Sequence, residues 1–121
     1  MNKVELLGRL TKDVEIKEGK KVKFGTFTLA VKRPFAKDGE TDVDFIDCVI
    51  FGKPLEALAK YTEKGSQIIV CGALQNSTYE DKDKNKRTKT QIIVSDFYFT
   101  SVNKKVLEDV KKGETIDDLP F

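Results

Sequence analysis

A chain of 121 residues with 39% hydrophobic and 35% charged residues suits one compact domain with a real core and leaves little room for a second. It contains no histidine, which removes the usual general base of serine and cysteine hydrolases and the commonest zinc ligand, and no run approaches the ~20 apolar residues of a membrane helix, so a soluble protein with no membrane partner is expected. The formal charge of +2 is unevenly spread: residues 1–105 carry 20 Lys and Arg against 15 Asp and Glu, whereas residues 106–121 carry 2 against 5, a basic body suited to a polyanion and an acidic end.

Residues 3–10 alternate, with Val4, Leu6 and Gly8 on one side and Lys3, Glu5, Leu7 and Arg9 on the other, the period of a half-buried strand. Charges interrupt that opening, so it does not read as a secretory signal. Residues 21–33 alternate at greater length: Phe27, Leu29 and Val31 point one way, and Val22, Phe24, Thr26, Thr28, Ala30 and Lys32 the other, a face too mixed for plain solvent. Asp38-Gly39 is a hairpin signal. Residues 43–51 then resume a strand, with Phe45, Asp47, Val49 and Phe51 on one face and Asp44, Ile46, Cys48 and Ile50 on the other.

Pro54 suits the first turn of a helix, Leu55, Leu58 and Ala59 recur at helical spacing, and Gly65 offers a C-terminal cap, which predicts a helix over about 54–63. Residues 67–74 and 90–99 are two further strands joined by a charged stretch, 80–87, that reads as a long mobile tip. Ile68-Ile69-Val70 and Ile92-Ile93-Val94 are apolar on both faces, so these strands are either covered twice or meet another subunit. Cys48 and Cys71, without CxxC spacing, fit the reduced thiols of a cytoplasmic protein.

Three strands, a helix and two strands are the order of an all-β, five-stranded Greek-key barrel of the OB type, with its short helix between strands three and four and extended hairpin loops. The barrel is placed at 1–102. In the linker at 103–115, a capping Asn103, apolar Val106, Leu107 and Val110, Lys111-Lys112 and Gly113 predict a short helix over 103–112. Residues 116–121 form an acidic tip in which Leu119 and Phe121 cannot bury themselves and Pro120 removes a backbone donor, the composition of a segment that docks in a partner's groove.

Phe45 and Phe51 share a strand face, Phe35 opens the first hairpin loop and Tyr79 the second. Most phenylalanines belong to cores, but Phe35 and Tyr79 are flanked by Lys32-Arg33 and Glu80-Asp81. Aromatic surfaces among basic side chains are what a single nucleic-acid strand requires: a ring accepts any base, and Lys or Arg follows the phosphates. Candidate phosphate partners are Lys3, Arg9, Lys32, Arg33, Lys53, Lys64, Lys82, Lys84, Lys86, Arg87 and Lys89.

The motifs Met1-Asn2-Lys3-Val4, Gly8-Arg9-Leu10-Thr11, Phe27-Thr28-Leu29-Ala30, Asp44-Phe45-Ile46-Asp47-Cys48-Val49-Ile50-Phe51-Gly52-Lys53, Tyr61 with Lys64-Gly65-Ser66, and the closing Asp117-Asp118-Leu119-Pro120-Phe121 resemble, in the same order, bacterial and phage single-stranded DNA-binding proteins. The resemblance covers nearly the whole chain. It implies an OB-fold that assembles with itself, usually to a homotetramer, and holds single-stranded DNA without catalysis, cofactor, metal or sequence preference. It further implies roles in replication, recombination and repair, with partner proteins recruited through the tip, and it places base stacking on Phe35, Phe45, Phe51 and Tyr79, with Thr26 and Thr28 lining the same groove.

The chain departs from that pattern in having no tryptophan, in placing Asp47 between Phe45 and Phe51, in lacking basic residues at 75–78, and in lacking the long linker rich in Gly, Pro and Gln, which suits a phage or accessory version. Two other readings stand beside it. One is an OB-fold module for RNA or protein assembly; the other is a metal-dependent nuclease using Asp42, Asp44 and Asp47, against which strand parity argues, since Asp47 points away from the other two.

Overall fold

Five long alternating runs can satisfy their backbone hydrogen bonds and hide one apolar face by closing into a ring without free edges. The computed structural model describes residues 1–35, 37–39 and 42–100. The helix expected at 103–112 and the tip carrying Asp117, Asp118, Leu119, Pro120 and Phe121 lie outside the described residues.

The elements are β1 (Val4–Leu10), β2 (Glu15–Glu18), β3 (Lys23–Lys32), β4 (Val43–Phe51), α1 (Pro54–Tyr61), β5 (Gln67–Glu80) and β6 (Lys86–Phe99). The ring runs β1, β3, β4, β6, β5 and back to β1; the β4 to β6 pairing is parallel and the others antiparallel. This is the five-stranded OB arrangement, with α1 between β4 and β5. Inside, Leu10, Phe27, Leu29, Cys48, Ile50, Ile68, Val70 and Ile92 meet Leu55 and Leu58 of α1 in one core. The ring closes where β1 meets β3, with Arg9 opposite Ala30 and Leu10 opposite Leu29. A Cβ on Gly8 would sit 2.5 Å from the Ala30 carbonyl oxygen, so the missing side chain permits the approach. Asn2 extends β1 by a side chain, its amide bonding both ways with the Leu74 backbone at 2.8 and 2.9 Å.

Four local readings are corrected. β2 has four residues, all exposed, and flanks β3 outside the ring; with no buried side it carries no alternation to detect. β3 begins at Lys23, not residue 21. The helix ends at Tyr61 because Thr62 is extended (φ −124°), and Gly65 (φ +91°) serves the following turn, where Ser66 N–H donates to the Glu63 carbonyl.

The charged stretch at 80–87 is a shorter tip than expected, since Glu80, Lys86 and Arg87 belong to strands. β5 and β6 run 14 residues each and project beyond the barrel as a ribbon with polar residues on both faces, which hid it from a search for apolar alternation. Only 81–85 turn, and Asp81 organises them: its carboxylate accepts the N–H groups of Asp83 and Asn85 at 3.0 and 2.9 Å and the Arg87 Nε at 3.0 Å. Those bonds, the Arg87 one foremost, hold the Asp81 carboxyl below the usual carboxylate range.

Gly8→Ala is expected to lower the unfolding free energy by about 1–3 kcal/mol, since a new methyl must displace backbone rather than a flexible side chain. A thermal melt would show the drop, and an unchanged melting temperature would place the closure elsewhere.

Candidate nucleic-acid interface

On β4, Cys48 and Ile50 point into the core and Phe45, Asp47 and Phe51 point out, as a period of two requires. The β3 register lays the outer face out in rows: Phe24 opposite Phe51, Thr26 opposite Val49, Thr28 opposite Asp47, Ala30 opposite Phe45, Lys32 opposite Val43. The first and fourth rows carry the aromatics, about 20 Å apart along the strand. Phe24 and Phe51 form a tilted pair with ring centroids at 5.9 Å. Phe45 and Phe51 are 66% and 46% exposed, Tyr79 52% and Phe35 91%, so all four expected platforms present their rings to solvent.

Between the aromatic rows lies a shallow groove of about 190 Å³, bordered by Thr26, Thr28, Asp47 and Val49, by Lys12 ahead of β2 and Glu15 and Lys17 on it, and by Lys89 and Gln91 of β6. Lys89 and Gln91 share a ribbon face with Arg87 and, across the ladder, with Ser77 and Tyr79, so the platform at Tyr79 continues the same side of the sheet. Arg9 joins the end of the row formed by Ala30 and Phe45, where its guanidinium also donates to the Gly65 carbonyl at 3.0 Å. Lys32 closes the face at the last β3 row, and Lys53 follows Phe51 at the start of α1.

Other expected phosphate partners are set apart. Arg33 lies past the end of β3, where its Nε and Nη2 clasp both oxygens of Asp44 at 3.0 and 2.8 Å. That fork lowers the Asp44 pKa and raises that of Arg33. Lys3 pairs with Glu5 at 3.3 Å on the outer side of β1, away from the aromatic rows. Lys64 sits in the turn before β5, its backbone N–H on the Asp13 carboxylate. Lys82 and Lys84 belong to the ribbon tip, and Lys86 stands opposite Glu80 on the ribbon face away from Tyr79.

Phe24, Lys12, Lys17 and Gln91 were not singled out from sequence. The parity of Phe24 was visible, but its pairing with Phe51 needs the register; Lys17 needs β2. Lys12 is partly neutralised by Glu15 at 2.8 Å, which in turn holds the Glu15 carboxyl below its ordinary range. Cys48 lies under this face as a free thiol, pushed up to about 12 by burial and then by the charge of Asp47, and is unreactive there. Asp44 and Asp47 leave β4 on opposite sides, and among the described residues no three His, Cys, Asp or Glu side chains converge as a metal-holding group.

A second outer face, on β1, β5 and β6, has a different character. Leu7, Ile69 and Tyr98 form one apolar row across three strands, and Ala73 with Ile93 form another beside a concavity of about 550 Å³. Leu7 and Tyr98 are exposed.

Residues 1–100 match the Single-strand binding protein family. The chain is 44% identical over 101 residues to the single-stranded DNA-binding protein of Clostridium tetani, covering 82% of this chain and 70% of that one. It is 45% identical over 101 residues to that of Clostridium perfringens, covering 82% and 65%. Over 121 residues it is 38% identical to single-stranded DNA-binding protein 2 of Clostridium acetobutylicum, covering 98% and 91%. The aromatic rows, the basic groove and these likenesses converge: the chain belongs to the single-strand binding protein family.

Proposed function

We propose that the protein binds and protects single-stranded DNA without catalysis, during replication, recombination and repair. The observation that carries this reading is the outer β3 and β4 face, where Phe24, Phe45 and Phe51 stand beside Lys17, Lys32, Lys89 and Arg9. Bases stack on the rings, Phe35 and Tyr79 extend the path from the two hairpins, and the cations follow the phosphates. Nothing in this arrangement needs a cofactor. No described helix is long and apolar enough to cross a membrane, and the reading places the protein in the cytoplasm with the DNA it covers.

The protein also assembles with itself, as a tetramer in keeping with the family resemblance, through the β1, β5 and β6 face. Leu7, Ile69, Tyr98 and Ile93 there are apolar without a covering element among the described residues, and burying them against a second copy removes that surface from water. The tip at 116–121 recruits replication and repair proteins, its carboxylates meeting basic side chains while Phe121 fills a pocket.

Phe45→Ala and Phe51→Ala are each expected to weaken oligo-dT binding by about 1–3 kcal/mol with the fold intact by circular dichroism; unchanged affinity in both would remove the stacking platform. Charge removal at Lys17 and Lys89 is expected to reduce the slope of log K against log salt by about 0.7 for each phosphate left without its cation, and an unaltered slope would show that these lysines do not meet phosphate. Leu7→Glu combined with Tyr98→Glu is expected to reduce the mass in light scattering to that of a smaller assembly; a mass equal to wild type would place the subunit contact on another face.

A further inference from the structure

We infer that the outer edge of β2 pairs with the same edge of a second copy, antiparallel and centred on Ile16, when two copies stand side by side on one strand; this rests on the single-strand reading above. β2 ends the strand order and bonds to β3 alone, so the backbone groups on its far side have no partner among the described residues. All four of its residues are exposed, Ile16 at 54%. An open edge is a template for another strand, and short length with charged side chains ordinarily blunts it. The charges of β2 act that way against most strands but not against β2 itself.

The order Glu15-Ile16-Lys17-Glu18 selects the register. With a two-fold axis through Ile16, the two Ile16 side chains meet and each Glu15 stands opposite the Lys17 of the other copy. An axis through Glu15 or Lys17 sets like charge on like, an axis between Ile16 and Lys17 sets Glu15 on Glu18, and one between Glu15 and Ile16 loses both ion pairs. A parallel pair in register stacks every charge on its own kind. Opposite charges across a ladder stabilise it and like charges oppose it, so the edge is complementary to itself in one register, and the occupant it fits is a second copy. Glu15 and Lys17 lie opposite Thr26 and Phe24 of β3, on the side of the aromatic rows, whereas Ile16 lies opposite Gly25 on the other side. The axis is perpendicular to the sheet, so both binding faces look the same way and their grooves adjoin under one strand. In the joint Glu15 exchanges Lys12, now 2.8 Å away, for the other copy's Lys17 and leaves Lys12 to the phosphates. The β1, β5 and β6 face stays free for the other contact between copies, and two different two-fold contacts used in turn give an open array. Three ladder rows hold two copies weakly in free solution; on a strand, neighbours meet at an effective concentration on the order of millimolar and the contact closes.

The test uses the full chain with Ile16→Cys, saturated on long oligo-dT and mildly oxidised, with the joined peptides located by mass spectrometry to set aside links through Cys48 or Cys71. In the proposed register the two Cα atoms at position 16 lie about 4.5–5.5 Å apart, within the span of a disulfide, whereas those at position 18 lie about 13 Å apart. Ile16→Cys is expected to link neighbouring copies on oligo-dT and little without it, and Glu18→Cys to link in neither condition. Adding Glu15→Lys to Ile16→Cys is expected to lower the linked fraction several-fold at equal strand occupancy, and adding Lys17→Glu to both to restore it. No link through position 16 on oligo-dT, an equal link through position 18, or no recovery on charge exchange overturns the β2 contact while leaving strand binding in place. Failure of wild type to bind oligo-dT overturns the single-strand reading itself.

Discussion

Everything on the proposed binding face depends on the register of β4. A strand alternates strictly, and β4 is held on both sides, by β3 over nine paired positions and by β6 in parallel over three. Sliding β4 by one residue would turn Phe45, Asp47 and Phe51 into the core and expose Cys48 and Ile50. The core therefore fixes the platform: Phe27, Leu29, Cys48, Ile50 and Ile92 pack on one side of the sheet, and the aromatic rows follow on the other.

The closed ring gives the sheet two outer faces with opposite chemistry. The β3 and β4 face alternates rings with hydroxyls, a carboxylate and lysines, and remains wettable enough to stay open to a charged strand. The β1, β5 and β6 face presents Leu7, Ile69, Tyr98 and Ile93. Between Cys71 and Gly72 the β5 to β6 register shifts, with Ser95 left over on β6, where its hydroxyl donates to the Cys71 carbonyl at 3.1 Å. Beyond that irregularity the two strands run on as the polar ribbon bearing Tyr79, so the proposed binding side is longer than the barrel.

Most of this was legible in the sequence because burial on one side writes a period of two, as in residues 3–10 and 43–51. Where neither side is buried, the period disappears. That is why β2 and the outer ribbon, including residues 75–80, escaped notice while the core strands did not. Pairings between distant strands are not written locally either. The Phe24 to Phe51 contact and the place of Arg9 beside Ala30 follow from register, and Arg33 is drawn to Asp44 because the hairpin brings their side chains together. The apolar outer side of the 68–70 and 92–94 runs was legible as two alternatives, cover or a second subunit; among the described residues no element covers it.

Photo-cross-linking to a strand carrying 5-bromodeoxyuridine, with the joined residues located by mass spectrometry, would trace the path of a single strand over the β3 and β4 face. Adducts are expected at Phe24, Phe45, Phe51 and Tyr79. Adducts concentrated at Tyr98, on the opposite apolar face, with none at Phe45 or Phe51, would contradict it.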